Sequence, residues 1–297
     1  MKSSKKERIT ILGLLNTVLL LLFVFLCVYP LYYIFINSIS TATEVQRGVF
    51  LFPRKVTLMS YTNIKNIQGI YSSIFVSVAR TVIGSLITCL FTSILAYLLT
   101  QREMPARKAL YRFVIVTMYI NAGFIPYYLL ISNLGLKNSF LVYILPGSVS
   151  AYYLVLIKTY IESMPLELME SADIDGAGPI RKFVSLVIPL GKPILACIIT
   201  FAAVWQWNSW SDNLFFIQGS KGRNLHTLQF LLYQNLQSNM SAAIRGTDSA
   251  AAAAAIKITP TTLRMAMTFI TVLPILCVYP FMQRYFTSGI MLGAVKG

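Results

Sequence analysis

Residues 11–36, 72–99, 110–131, 140–160, 190–210 and 263–284 form six predominantly apolar runs, and the first contains no charged side chain. A helix rises about 1.5 Å per residue, so about 20 apolar residues cross the roughly 30 Å of hydrocarbon in a bilayer. Lipid offers the backbone no hydrogen bonds, which leaves the helix as the structure such a run adopts when it spans. Only 12% of the chain is charged, against about a quarter in a soluble domain. A water-facing surface cannot be built from so few charges. The chain reads as an all-α integral membrane protein with six transmembrane helices, and soluble, secreted disulfide-stapled and disordered classes are excluded.

The net charge is +15, from 25 Lys and Arg against 10 Asp and Glu. Basic patches can neutralise nucleic-acid phosphates, but in so apolar a chain the membrane explains the excess, because cytoplasmic loops are enriched in Lys and Arg and anionic lipid attracts them. Lipid is an expected partner and nucleic acid is not. The tail, residues 1–10, holds Lys2, Lys5, Lys6 and Arg8, and the second loop holds Arg102, Arg107 and Lys108, whereas the third, 132–139, has only Lys137. Six spans put both termini on one side, and this bias makes that side the cytoplasm. The first run is far longer than a signal-peptide core and ends in Tyr29, Tyr32 and Tyr33, so it reads as a retained span. Outside lie two long loops, 37–71 and 211–262; inside lies one conspicuous loop, 161–189.

Cys27, Cys89, Cys197 and Cys277 all fall in apolar runs with no metal-ligand or redox spacing, and read as small buried hydrophobes. Pro30, Pro126, Pro146, Pro193, Pro274 and Pro280 predict kinked helices in a bundle. Arg80 is the one charge well inside a run; it either snorkels to the interface, the preferred reading, or lines a polar pathway. In the last outer loop Leu225, Leu228, Leu231, Leu232 and Leu236 predict an amphipathic helix over 224–236, lying on the membrane surface or on a partner. Six alanines, 250–255, follow Ser249 and predict a short helix, and Thr259-Pro260 opens the last span as cap and first-turn proline.

The residues of enzymes and pumps are mostly missing. The Gly191-Lys192 pair has Leu186 where a phosphate loop needs its first glycine and Pro193 where it needs a hydroxyl. The single histidine, His226, rules out histidine-rich metal sites and offers no serine–histidine pair with a nucleophile elbow. Ion-coupled transporters place carboxylates at membrane depth, but all ten acids here fall outside the apolar runs.

Half of those acids lie in the inner loop. Ser163 and Pro165 predict the cap and first turn of a short helix, on which Glu167, Glu170 and Asp173 form an acidic face and Leu166, Met169 and Ala172 an apolar one. Gly176-Ala177-Gly178 permits a left-handed turn, and Pro179 starts a second helix through Phe183 toward Pro189. Such a projecting helical elbow needs a protein partner on the cytoplasmic side; the competing reading is a solvated loop whose acids balance Arg181 and Lys182.

Glu170-Ser171-Ala172, Asp175-Gly176-Ala177, Phe183 and Ile188-Pro189 together resemble the Glu-Ala-Ala signature of permease subunits from binding-protein-dependent ABC importers. Ser171 stands where that family often has alanine, one small residue for another. Trp207-Asn208, the outer loop with its alanine run and the ending 289–297 are similar to the carbohydrate branch, closest to the subgroup for oligosaccharide and polysaccharide uptake. The resemblance implies the type I importer permease fold in a prokaryotic cell membrane, in a chain that is no enzyme and binds no cofactor, with ATP and magnesium held by partners. Those partners would be a second, different permease subunit, two ATP-binding subunits, an extracytoplasmic solute-binding protein and a carbohydrate. It also implies that the elbow docks in a cleft of the ATPase through Glu167, Glu170, Ala172, Asp173, Asp175, Gly176, Ala177 and Gly178.

Sugar recognition uses aromatic faces against rings and amides against hydroxyls. Trp205, Trp207, Asn208, Trp210, Asp212 and Asn213 supply that chemistry at the outer mouth, and Tyr119 and Asn121, with Tyr127 and Tyr128, supply it in the third span. The same aromatics also fit an ordinary interfacial belt. Two rival functions would read differently. A secondary transporter needs an intramembrane carboxylate or inverted repeat, and neither is evident; a non-transporting scaffold or sensor would use the acidic loop as a generic docking site.

Overall fold

The computed structural model describes residues 11–244 and 259–289. Helices supply nearly all its regular structure; among the described residues the β feature is one isolated antiparallel bridge, Ser40 to Val56. The chain divides into two compact units, residues 1–67 with 235–272 and residues 68–234 with 273–297.

The first unit opens with the helix Ile11–Ser38, which contains Pro30. Every residue from Ile11 to Val28 is exposed, so this apolar surface needs lipid or a partner, whereas its last residues, Ile36, Asn37 and Ser38, are buried. Two short helices follow, Ala42–Arg47 and Met59–Ile64. Buried Glu44 pairs with Arg47 at 3.3 Å and Arg54 at 3.9 Å. Thr259 caps the helix Pro260–Gly289 through its Oγ1, which accepts from the Thr262 amide at 3.3 Å, as the sequence predicts.

In the second unit the helices Ile70–Leu98 and Lys192–Asn208 form the main packed pair, with Ala151–Glu162 against the former. The buried stripe of Ile70–Leu98 is largely made of small residues, among them Ser73, Ser77, Gly84, Ser85, Thr88, Thr92 and Ala96, interrupted by the large side chains of Arg80 and Tyr97. Small side chains let backbones approach in a membrane, and their hydroxyls find partners across the contact: Thr88 donates to the Gly147 carbonyl at 2.7 Å. At Gly84 a Cβ would lie 2.5 Å from Gln206 Nε2, so any larger residue there would have to displace the Gln206 side chain.

The expectation of six transmembrane helices is met in part. Among the described residues three helices are individually long and apolar enough to cross a membrane, Ile11–Ser38, Ile70–Leu98 and Pro260–Pro280, and up to five segments qualify if each of two bent pairs is one span. The run 110–131 breaks into Arg107–Tyr119 and Phe124–Asn133, bent by 119°. Gly123 adopts φ +81° there, and its amide donates to Asn121 Oδ1 at 2.9 Å, a local bond that competes with the helical one. The run 140–160 holds a 3-10 turn, Phe140–Tyr143, and then the helix Ala151–Glu162 behind Pro146-Gly147. The run 190–210 becomes Lys192–Asn208, bent by 81° from Pro179–Leu190. At that corner a Cβ on Gly191 would lie 2.6 Å from the Val187 carbonyl oxygen.

Other expectations shift too. The helix predicted over 224–236 begins at Leu228, because Arg223–Leu225 forms a 3-10 turn and the Leu228 amide donates to Ser77 Oγ at 2.8 Å. Leu228, Phe230 and Leu231 are buried in the protein instead of lying on a membrane surface. Cys89 and Cys197 are buried as expected, but Cys27 and Cys277 are exposed on apolar helices. The basic tail, the alanine run 250–255 and the ending 290–297 lie outside the described residues.

Candidate functional site

Residues 161–189 fold into the predicted elbow with different caps. Ser163 closes the helix Ala151–Glu162, its hydroxyl donating to the Tyr160 carbonyl at 2.7 Å, and Pro165 precedes the helix Leu166–Ile174 instead of sitting in its first turn. A serine three residues before a helix cannot cap it when the preceding helix claims its hydroxyl. At the other end Gly176 takes φ +71°, the Gly176 amide bonds the Asp173 carbonyl at 3.0 Å, and the Ala177 amide bonds the Ala172 carbonyl at 2.9 Å. That is the left-handed helix stop for which glycine is suited. Gly178 then leads extended into Pro179–Lys182, with proline at the first helical position.

Glu167, Glu170, Asp173 and Asp175 are all exposed. Asp173 is drawn to the second helix by Lys182, whose Nζ donates to Oδ1 at 2.5 Å, and that bond raises the lysine's pKa. Met169 and Phe183 root the elbow in the core beside Tyr97, whose ring centroid lies 5.3 Å from that of Phe183. The predicted apolar face divides. Met169 and Ala172 turn partly inward, while Leu166 stays exposed, joined by Leu168, which was not assigned to that face, and by Ile174 at 87% and Ile180 at 82%. Sequence reasoning missed Ile174 and Ile180, which flank the turn as lone apolar residues among charges.

At the far end of Lys192–Asn208 the structure corrects the snorkelling assignment of Arg80. Its side chain has no exposed surface. Nε donates to Gln206 Oε1 at 2.8 Å and Nη1 to the Ser209 carbonyl at 3.2 Å; Nη2 pairs with Asp212 Oδ2, and the guanidinium lies 4.5 Å from the Tyr143 ring centroid. A buried charge is tolerated only when paired and hydrogen-bonded, and this one is both. Asn213 continues the network, donating to Tyr143 Oη at 2.7 Å and accepting from the Thr227 amide at 2.8 Å. The signal in the sequence was an arginine inside an apolar run with a carboxylate just beyond the end of another.

Of the predicted sugar-facing residues, Asp212 and Asn213 are thus engaged inside the protein, and Trp207 is buried. Trp205, Asn208 and Trp210 share a cavity of about 890 Å³ with Tyr152, Tyr153 and Tyr279, and among the described residues that line it none is charged. Asn208 Oδ1 accepts from Gln229 Nε2 at 3.1 Å, and Trp210 stacks on Tyr233 at 4.2 Å. Tyr119 and Asn121 lie elsewhere, at the break after Arg107–Tyr119.

Residues 90–292 match the family described as "Binding-protein-dependent transport system inner membrane component". The chain is 34% identical over 94% of its length to the polygalacturonan/rhamnogalacturonan transport system permease protein YtcP of Bacillus subtilis, covering 96% of that protein. It is 35% identical to protein LplC of the same organism, over 91% of this chain and 90% of the other. A crystal structure of a bacterial ABC transporter involved in the import of the acidic polysaccharide alginate contains a chain similar to this one at TM-score 0.82 and 27% identity, covering 96% of this chain and 99% of that one. With the family match covering the elbow and every partner of Arg80, though not Arg80 itself, the chain belongs to the inner membrane components of binding-protein-dependent transport systems.

Proposed function

We propose that this chain forms half of the membrane pathway of an ATP-driven importer of a carbohydrate, with its elbow as the contact to the ATPase. The observation that carries the reading is the elbow itself: a rooted helix stopped by Gly176, with exposed carboxylates and exposed Ile174 and Ile180 on a surface left open by the described residues. Contact would run through Glu167, Glu170, Ala172, Asp173, Asp175, Gly176, Ala177 and Gly178. The chain makes six passes in this reading, three as long helices, two as bent pairs and one through 140–162, with both termini cytoplasmic. A second permease chain, two ATP-binding subunits carrying ATP and magnesium, and an extracytoplasmic solute-binding protein complete the machine.

The carbohydrate is inferred from the relatives' named cargo, polygalacturonan or rhamnogalacturonan and alginate. Trp205, Asn208 and Trp210 are the residues of this chain best suited to touch it, joined by Tyr152, Tyr153 and Tyr279, since aromatic faces alternate with amide and hydroxyl groups there. Trp207, Asp212 and Asn213 would hold that wall in place, and Tyr119 and Asn121 would face a separate part of the pathway.

The test is oligosaccharide uptake by the reconstituted complex. Uptake that requires ATP, and that Gly176→Asp abolishes while all subunits still co-purify, supports the reading. Uptake by this chain alone, driven by a proton gradient, makes it a secondary transporter; a complex that assembles but moves no sugar makes it a scaffold or sensor.

A further inference from the structure

We infer that residues 47–55 form a loop whose tip sits in the bilayer interface beside the first helix, held there by anionic lipid headgroups. This rests on the reading that Ile11–Ser38 spans the membrane. The neck is closed by the bridge at Ser40 and Val56, with the Thr57 amide donating to the Ile39 carbonyl at 2.7 Å and the Thr41 amide to the Lys55 carbonyl at 3.3 Å. From the neck the loop folds back along the helix it follows. Asn37 Nδ2 donates to the Val49 carbonyl at 3.1 Å, the Tyr33 ring lies 6.4 Å from that of Phe50, and the hydroxyls of Tyr32 and Tyr29 donate to the carbonyls of Leu51 and Phe50. Asn37 and Tyr29 are eight residues apart, which is about 12 Å along a helix axis. The tip therefore lies about 12 Å back from the helix end, level with residues of the apolar run.

Two independent features of the tip suit lipid and not water. Phe50, Leu51 and Phe52 are 63%, 60% and 77% exposed, three large apolar side chains in a row on a segment pinned at several points. The carbonyls of Phe50 and Leu51 accept tyrosine hydroxyls, although water would satisfy them at no structural cost on an ordinary surface loop; backbone entering a bilayer needs such internal partners. Gly48, at φ +88°, makes room for the Phe50 ring, whose Cε2 would be 2.9 Å from a Cβ there. Arg47 and Arg54 bracket the tip with largely exposed side chains, and exposed Lys55 follows. Buried Glu44 pairs with both arginines, yet the loop stays net positive, so headgroup phosphates complement it.

The test uses the assembled complex in nanodiscs of phosphatidylglycerol and phosphatidylcholine, with Cys27→Ala, Cys89→Ala, Cys197→Ala and Cys277→Ala as background. A spin label on Phe52→Cys is compared with one on Val18→Cys by collision with oxygen, which enters lipid, and with a nickel chelate, which stays in water. Both labels are expected to prefer oxygen, and the Phe52 label to shift toward the chelate with Tyr29→Phe and Tyr32→Phe together, or in phosphatidylcholine alone. A Phe52 label that prefers the chelate places the tip in water, and one shielded from both reagents places it under a protein partner. Either result, with the Val18 label still preferring oxygen, overturns the inference; a chelate-accessible Val18 label overturns the spanning reading and the inference with it.

Discussion

Asp212 and Arg80 show why the C-terminal end of Lys192–Asn208 is held so firmly. Arg80 is wholly buried and satisfied by one carboxylate, one amide, one carbonyl and one ring. Removing one partner of a buried pair strands the other charge and costs about 3–5 kcal/mol, whereas replacing both by apolar groups is often neutral. Asp212→Ala should therefore sharply lower the thermal inactivation midpoint of the purified complex, and Arg80→Met with Asp212→Leu should recover most of it. An equal loss in the double variant would show that the pair is not what holds the segment. Gly84→Ala should lower the same midpoint, by about 1–3 kcal/mol of stability, because the new methyl meets Gln206 and disturbs the Arg80 network at once. Arg80 was legible only as an anomaly: an apolar run with one charge announces a buried partner or a snorkelling side chain, and linear spacing does not choose between them.

At the scale of elements, the glycine stop of the elbow and the buried start of Leu228–Ile244 make separate predictions. Gly176 has open space around its missing Cβ, so a side chain there meets no neighbour and only the left-handed backbone resists it. Gly176→Ala should cost about 1–2 kcal/mol locally, and Gly176→Asn less. Amide exchange across 166–182 would record this as faster exchange in the alanine variant. His226, packed edge-on to Phe230 at 4.9 Å, has its pKa lowered by burial and then by Arg223. The unfolded segment therefore takes up a proton first as the pH falls through about 6.5, so the stabilisation is complete above that value and is lost below it, down through the folded pKa. Amides of 228–234 should exchange faster, after correction for intrinsic rates, below about pH 6 than above about pH 7; no difference would remove His226 from the packing. The elbow was legible because its proline and glycine positions dictate backbone angles. The breaks at Gly123 and Gly191 were not, since an apolar run reports burial or lipid contact and says little about continuity, and Ser163 was misassigned because two helices competed for one hydroxyl.

For the whole molecule, family membership and the match to a transporter chain across nearly the full length agree with what composition alone required, a chain whose solvent is lipid. The apolar runs located the long helices Ile11–Ser38, Ile70–Leu98 and Pro260–Gly289 to within about five residues of their ends, because an uninterrupted span needs nothing but length and apolarity. What holds the second unit together was hidden, since it depends on residues far apart in the chain, Arg80 with Asp212 and Ser77 with Leu228. We propose that a separate ATPase grips the bend at Gly176 and so moves the bundle. That grip is tested most directly by placing a photo-crosslinking amino acid at Asp175 in the working, reconstituted complex. The account predicts a crosslink to the ATP-binding subunit whose yield changes when ATP is added. A complex that imports sugar with Asp175 crosslinked to no ATP-binding subunit in any nucleotide state would contradict it.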